Sequence, residues 1–270
     1  MKYKLIASDM DGTLVNSKSE LTERTKIAIK NAVDAGVFFV TATGRPFSNV
    51  QMVNRLFDND MPFIVFNGAA AYMGKSERLL FERFLDFELA NEAFEIGQQK
   101  GIAQIFWTGP RLWANRICDE TNGYHAVCKG LDMTIVTDLA TIRDEVEGIS
   151  KVLWIDHPDN IKMLSGEMCG HFGERLKCVS SMAHFLEFVS IDAGKGTALA
   201  EIGRLFGINR SEMIAVGDGY NDVCMIKYAG LGVAVENAPE DIKVMCDFVT
   251  SSNDNDGVAE VIERFILSKA

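Results

Sequence analysis

An α/β fold built on a Rossmann-like parallel sheet, with an inserted α+β module, follows from three observations on this 270-residue chain. Short apolar runs alternate with helix-period segments at both ends of the chain, the pattern of strands joined by helical crossovers. Four of these runs end in polar or acidic residues. Between residues 83 and 189 the alternation is lost, and the apolar runs carry polar interruptions, as in an antiparallel sheet.

The elements follow in order. Lys4–Ser8 reads as a buried strand ending in Asp9 and Asp11. Thr22 is an N-cap with Glu23 in the first turn. Ala28, Ile29, Ala32 and Val33 recur at helical spacing, and Gly36 ends that helix. Val37–Ala42 is a second buried strand, stopping at "TGRP". A helix over Phe47–Phe57 places Val50, Val53 and Phe57 on one side, and Pro62–Gly68 is a third strand ending in a polar turn. The pattern resumes with a helix over Lys195–Phe206. "MIAVGDG" (Met213–Gly219) is then a strand ending in acid, followed by a short helix over Asp222–Tyr228. "LGVAV" is a strand, Pro239–Cys246 a helix, "FVT" a strand and Gly257–Leu267 a final helix. In the middle, Leu89–Gln99 and Ile161–Phe172 read as helices. "IAQIFW", "RLWANR", "KVLWID" and "LEFVSI" read as strands. The expected partition is a discontinuous core, 1–82 and 190–270, around an inserted domain, 83–189.

Composition narrows the function. Acidic residues outnumber basic ones 38 to 27, a formal charge of −11. Long-range electrostatics therefore oppose a nucleic-acid or anionic-membrane partner. The hydrophobic share of 47% suits a soluble globular protein. No apolar window approaches the roughly 18 residues of a membrane span. The opening "MKYKLIASDMDG" contains no signal-type apolar region. The six cysteines form no C-x-x-C pair, and Cys118, Cys128 and His125 fit no zinc spacing. They read as reduced thiols of a cytoplasmic protein. The expected state is a monomer or weak homodimer.

Ligands of open parallel sheets gather beyond the carboxyl ends of the strands. Four such ends here carry Asp9/Asp11, Thr43/Gly44/Arg45, Asn67/Gly68 and Asp218/Asn221/Asp222, and Lys195 opens a nearby helix. Taken singly, the acids can be turn residues, Thr43 an N-cap and Lys195 a solvated helix residue. Together these readings need several coincidences. Three superficial motifs fail. "GKGT" lacks the Walker glycine and the hydroxyl after its lysine, "GDGYND" lacks the third dinucleotide glycine, and "DMDGTL" has Leu14 where a calcium loop needs Gly.

"DMDGT", "TATGR", Lys195 before "GTAL", and "GDGYND" resemble the four motifs of the haloacid dehalogenase (HAD) superfamily in order and spacing. The insert, with "NGA" at Asn67–Ala69, resembles the Cof-type branch of subfamily IIB, whose cap is of the C2B type. The resemblance implies that Asp9 attacks phosphorus and forms an aspartyl-phosphate, with Asp11 as acid and then base. It implies a Mg²⁺ cofactor held by Asp9, Asp218 and the Asp11 carbonyl, with Asp222 supporting the metal shell. Lys195, Thr43, Asn221 and the amides of Met10 and Gly44 would bind phosphate. Arg45 would touch phosphate or anchor its loop. The insert would open and close over the site, with Trp113, Asn115, Arg116, His125 and Lys129 as candidate specificity residues. The implied activity is hydrolysis of small phosphorylated metabolites, with sugar phosphates favoured by analogy. A phosphomutase using the same intermediate and a non-catalytic phosphometabolite-binding protein are the alternatives.

Overall fold

The computed structural model describes residues 2–128 and 130–268, without the side chain of Gln51. It divides into two compact units: Met1–Arg45, Val50–Leu80 and Gly194–Ala270 form the first, Pro46–Asn49 and Phe81–Ala193 the second. The strands, in chain order, are β1 (Leu5–Ser8), β2 (Phe38–Ala42), β3 (Pro62–Val65), β4 (Ala70–Met73), β5 (Leu79–Glu82), β6 (Ala103–Thr108), β7 (Arg111–Ala114), β8 (Met133–Ile135), β9 (Lys151–Ile155), β10 (Leu176–Val179), β11 (Phe185–Ser190), β12 (Met213–Gly217), β13 (Leu231–Val235) and β14 (Phe248–Thr250).

The sheet of the first unit runs β14-β13-β12-β1-β2-β3-β4-β5. Its pairs from β14 through β3 are parallel, and β4 returns antiparallel to β3. Every residue of β1 and of β12 is buried, which is why both read as continuous apolar runs. From β1 the chain steps through β2 to β3 on one side, and from β12 through β13 to β14 on the other. The strand order thus reverses between β1 and β12. A crevice at the carboxyl ends of two such strands is where open α/β sheets bind ligands.

The second unit is a six-stranded sheet, β10-β11-β9-β6-β7-β8, antiparallel except for the β7–β8 pair. The helices Phe87–Gln99 and Pro158–Phe172 contribute Phe94, Leu164, Met168 and Phe172 to a core shared with Phe106, Trp154 and Phe188. Strand alternation sends Trp107, Lys151 and Glu187 to the opposite face. There Lys151 and Glu187 form a buried ion pair at 3.2 Å, and the Trp107 indole donates to the Tyr124 hydroxyl. Buried charges require such pairing, since desolvation is otherwise too costly.

The structure departs from the sequence expectation mainly at edges. β8 and β10 are edge strands with mostly half-exposed or exposed residues, and β5 has no buried residue. Their apolar pattern is correspondingly weak. The helix Asp119–Val127 buries only Thr121 and Tyr124, and its periodicity is faint. The expected helix over 47–57 contracts to a 3₁₀ turn, Phe47–Val50, and one α-turn, Gln51–Asn54.

Candidate active site

The first acidic segment is shaped by its own backbone. Asp9 continues the ladder, its N–H donating to Val216 O, and the Met10 carbonyl then accepts from Leu14 and Val15 N–H. This closes a tight loop over Asp11 and Gly12. Gly12 sits at φ +83°, and a Cβ there would lie 2.6 Å from Asp218 Oδ2. Only glycine allows both that conformation and that approach. The loop is held from the other side by Thr13, whose hydroxyl donates to Asp218 Oδ1 at 2.7 Å, and by Asn237, which donates to Gly12 O at 2.8 Å. Met10 is fully buried, and its N–H has no hydrogen-bond partner among the described residues.

Lys195 opens the helix Lys195–Phe206 and is completely buried. Its ammonium donates to Asp9 Oδ1 at 2.5 Å and to Asp222 Oδ1 at 2.6 Å. Burial acts to lower the Lys195 pKa, but the adjoining Asp222 and Asp9 carboxylates prevail and raise it, so this lysine is a fixed cation. The other oxygen of Asp222 accepts the N–H groups of Asp218 (3.1 Å) and Gly219 (2.9 Å). Both Asp222 oxygens are therefore engaged, one by Lys195 and the other in fixing the loop after β12. Burial, then repulsion from Asp222, pushes the Asp9 carboxyl well above the usual carboxylate range. Asp218 is also raised, again chiefly by burial.

Asp9, Asp218 and Asp222 each bring a carboxylate oxygen within 4.8 Å of the others. Three acids against one ammonium leave an excess of negative charge in a largely desolvated place. An all-oxygen donor set with uncompensated charge fits a hard divalent cation such as Mg²⁺. With Asp222 engaged by Lys195 and two amides, Asp9 and Asp218 are the carboxylates placed to hold it.

A third segment closes the group. After β3, Phe66, Asn67 and Gly68 have φ of +51°, +55° and +94°. Three consecutive left-handed residues, one of them a buried phenylalanine, are costly and persist only when the surroundings enforce them. The enforcing contacts are visible. Phe66 N–H donates to Arg45 O and Asn67 N–H to Thr43 O. A Cβ on Gly68 would lie 2.2 Å from Gly194 O, so the turn is pressed against the residue before Lys195. Asn221 Nδ2 donates to Asn67 Oδ1 at 3.0 Å, which joins this turn to the loop after β12. Asn67 therefore belongs to the group of facing residues. Its place at a strand end and the "NGA" at Asn67–Ala69 were the sequence signals for it.

Thr43 is buried, and its hydroxyl oxygen accepts the Arg45 N–H at 3.1 Å, leaving the hydroxyl proton free to point elsewhere. Gly44 approaches the Asn67 amide closely, at 3.0 Å from an added Cβ. Arg45 makes a two-point pair with Asp11, Nε to Oδ2 at 2.8 Å and Nη2 to Oδ1 at 2.5 Å. The Asp11 carboxylate is thus turned to Arg45 and stands outside the cluster of Asp9, Asp218 and Asp222. In the second unit, the candidate specificity residues have structural partners. Trp113 donates to Thr108, Asn115 bridges Gln104 N–H and Ile102 O, Arg116 donates to Gly101 O, and His125 bonds Leu131 O. Trp113 and Asn115 are buried, so both are packing residues. Lys129 lies outside the described residues.

Buried Lys195, the aspartates around it and the strained Phe66–Gly68 turn meet at the carboxyl ends of β1 and β12, the place where α/β enzymes with open sheets hold their ligands. The haloacid dehalogenase-like hydrolase family model matches residues 6–262, and the chain belongs to that family. It is 31% identical over 272 residues to the putative phosphatase YxeH of Bacillus subtilis, covering 99% of this chain and 100% of that one. It is 30% identical to 5-amino-6-(5-phospho-D-ribitylamino)uracil phosphatase YwtE of the same organism, covering 97% and 98%. The crystal structure of a haloacid dehalogenase-like hydrolase from Bacteroides thetaiotaomicron is similar at 30% identity with a TM-score of 0.85, covering 98% and 100%.

Proposed function

We propose that this protein is a Mg²⁺-dependent phosphatase that hydrolyses small phosphorylated metabolites, sugar phosphates among them, through an aspartyl-phosphate at Asp9. Membership of the hydrolase family and relatives named as phosphatases support the reaction class. The observation that carries the reading is the group of buried Asp9, Lys195 and Asp222 with half-buried Asp218 at the β1–β12 switch point.

Asp9 attacks the phosphorus atom, an Asp9 O–P bond forms and the ester P–O bond breaks. Asp11 gives its proton to the departing alcohol, then takes one from the water that releases phosphate and restores Asp9. For this exchange Asp11 must leave its pair with Arg45, and an arriving phosphate competes for that guanidinium. Lys195, the Thr43 hydroxyl and the Met10 N–H receive the phosphoryl oxygens, and Asn221 and Gly44 shape the same wall. Bound to Asp9, Asp218 and the Asp11 carbonyl, Mg²⁺ supplies positive charge against the phosphoryl group.

Phosphate release from a panel of phosphorylated metabolites tests the reading, with and without EDTA and with Asp9→Asn. The expected outcome is activity that EDTA removes and Mg²⁺ restores. Asp9→Asn, folded like the parent, should lose at least about a thousandfold in kcat. Parent-like turnover by Asp9→Asn, or indifference to EDTA, would overturn it.

A further inference from the structure

The second unit holds a pair of thiols that the proposed reaction does not use. The helix Pro158–Phe172 stops at Gly173, φ +54°, and the Arg175 N–H closes the turn onto Phe172 O before β10 begins at Leu176. The chain doubles back, so the last helical turn lies beside the first residues of β10. Cys169 occupies that last turn and is exposed; Cys178 is two residues into β10 and half-buried. Leu176 and Cys178 share a strand face. Leu176 belongs to the helix-side core with Met168 and Phe172, and Cys178 packs against the same core. The Cys178 side chain therefore points toward the helix that carries Cys169, and Cys169 is the thiol that neighbours it.

The other four cysteines are placed differently. Cys128 is buried, Cys118 contacts Thr121, Cys224 accepts from Gly196 N–H, and Cys246 donates to Ile242 O.

We propose that Cys169 and Cys178 are a redox modification site, closing to a disulfide when the protein meets a peroxide. The roles divide by environment. Burial, then the neighbouring Cys169 sulfur, pushes the Cys178 thiol up to about 12, so it is a poor first nucleophile. The exposed Cys169 reacts first. Its thiolate attacks one peroxide oxygen, the O–O bond breaks, and Cys169 becomes a sulfenic acid while the second oxygen leaves as water. Cys178 then loses its proton, its sulfur attacks the Cys169 sulfur, and a second water departs. Two thiols and one hydrogen peroxide thus yield one disulfide and two waters. The bond ties the end of the helix to β10, the outermost strand of its sheet. A reducing thiol reopens it by exchange.

The test is independent of phosphatase activity. Reduced full-length protein is treated with stoichiometric hydrogen peroxide, free thiols are alkylated, and the digest is mapped by mass spectrometry. The expected product is a cross-linked Cys169–Cys178 peptide pair that dithiothreitol splits, with two titratable thiols lost per chain. In Cys178→Ser the Cys169 sulfenic acid has no resolving partner, and trapping by dimedone should rise several-fold. Separate alkylation of Cys169 and Cys178 after peroxide, cross-links to other cysteines, or unchanged dimedone labelling in a folded Cys178→Ser would each overturn the proposal. If that variant does not fold, the map of the parent protein decides by itself.

Discussion

Gly12 shows how one residue without a side chain shapes a reactive group. Its left-handed conformation turns the chain directly after Asp11, and its missing Cβ lets the Asp218 carboxylate come within touching distance. Gly12→Ala would meet both penalties, backbone strain and a clash with Asp218. It is expected to lose about 1–3 kcal/mol of stability and, as Asp218 is displaced, phosphate release by more than about tenfold. Denaturant unfolding and steady-state kinetics on one preparation check this; a fully active, fully stable variant would show that the close approach is dispensable. Asp222 makes the complementary point. It sits in an acidic turn that invites a metal-ligand reading, yet its oxygens are spent on Lys195 and two backbone amides. It positions Asp218 and neutralises Lys195.

At the scale of elements, the seam between β1 and β12 brings Asp9 and Asp218 together, and its far end has its own fastening. Lys4 N–H donates to Glu212 O, and the Lys4 ammonium pairs with the Glu212 carboxylate at 2.6 Å. The Lys4 hydrogen bond first, then the Asn209 N–H, lower the Glu212 pKa to about 2. A carboxyl depressed in the folded state stabilises above its unfolded value, near 4.5, and that contribution is lost as pH falls toward 2. Glu212→Gln is therefore expected to be less stable than the parent at neutral pH, where the carboxylate contribution is fully present, and to flatten the acid limb, the two proteins converging as pH falls toward 2. Unfolding midpoints measured across that range test it, and an unchanged acid limb would remove the pair from the account. Because the site lies at the other end of these strands, turnover at neutral pH should be preserved.

Across the whole molecule, the two units differ in what charge does. In the first, three buried ionisable groups, Asp9, Lys195 and Asp222, converge with half-buried Asp218 and leave an acidic excess. In the second, the fully buried charges Lys151 and Glu187 pair with each other. A cation bound by Asp9 and Asp218 stabilises only the unit that holds it, by about 2.7 kcal/mol at a hundredfold excess over Kd. Hydrogen exchange with and without Mg²⁺ should accordingly slow in β1 and β12, leaving the β6–β9–β11 sheet unchanged. Equal protection of both sheets, or of neither, would contradict this location for the ion.

Much of the fold was legible because burial on both faces leaves a plain signature. β1, β2, β3, β12 and β13 are continuous apolar runs, and the polar ends of the first four name the site. The strands β5, β8 and β10 were not legible, since exposed edges place few demands on side chains. The acids of the site could be read from spacing, and the family resemblance assigned Asp222 to support rather than to the metal, but the partners that hold each acid could not be read. Local sequence determined that Asp9, Asp11, Lys195 and Asp218 end or open buried elements, because apolar runs and helix signals are short-range properties. Only tertiary structure decided that Asp11 turns to Arg45 while Asp222 turns to Lys195, that Asn67 joins Asn221 through a strained turn, and that Cys178 faces Cys169. Those pairings depend on which strand lies beside which and on where a Cβ finds space, and both are set by the packed chain as a whole.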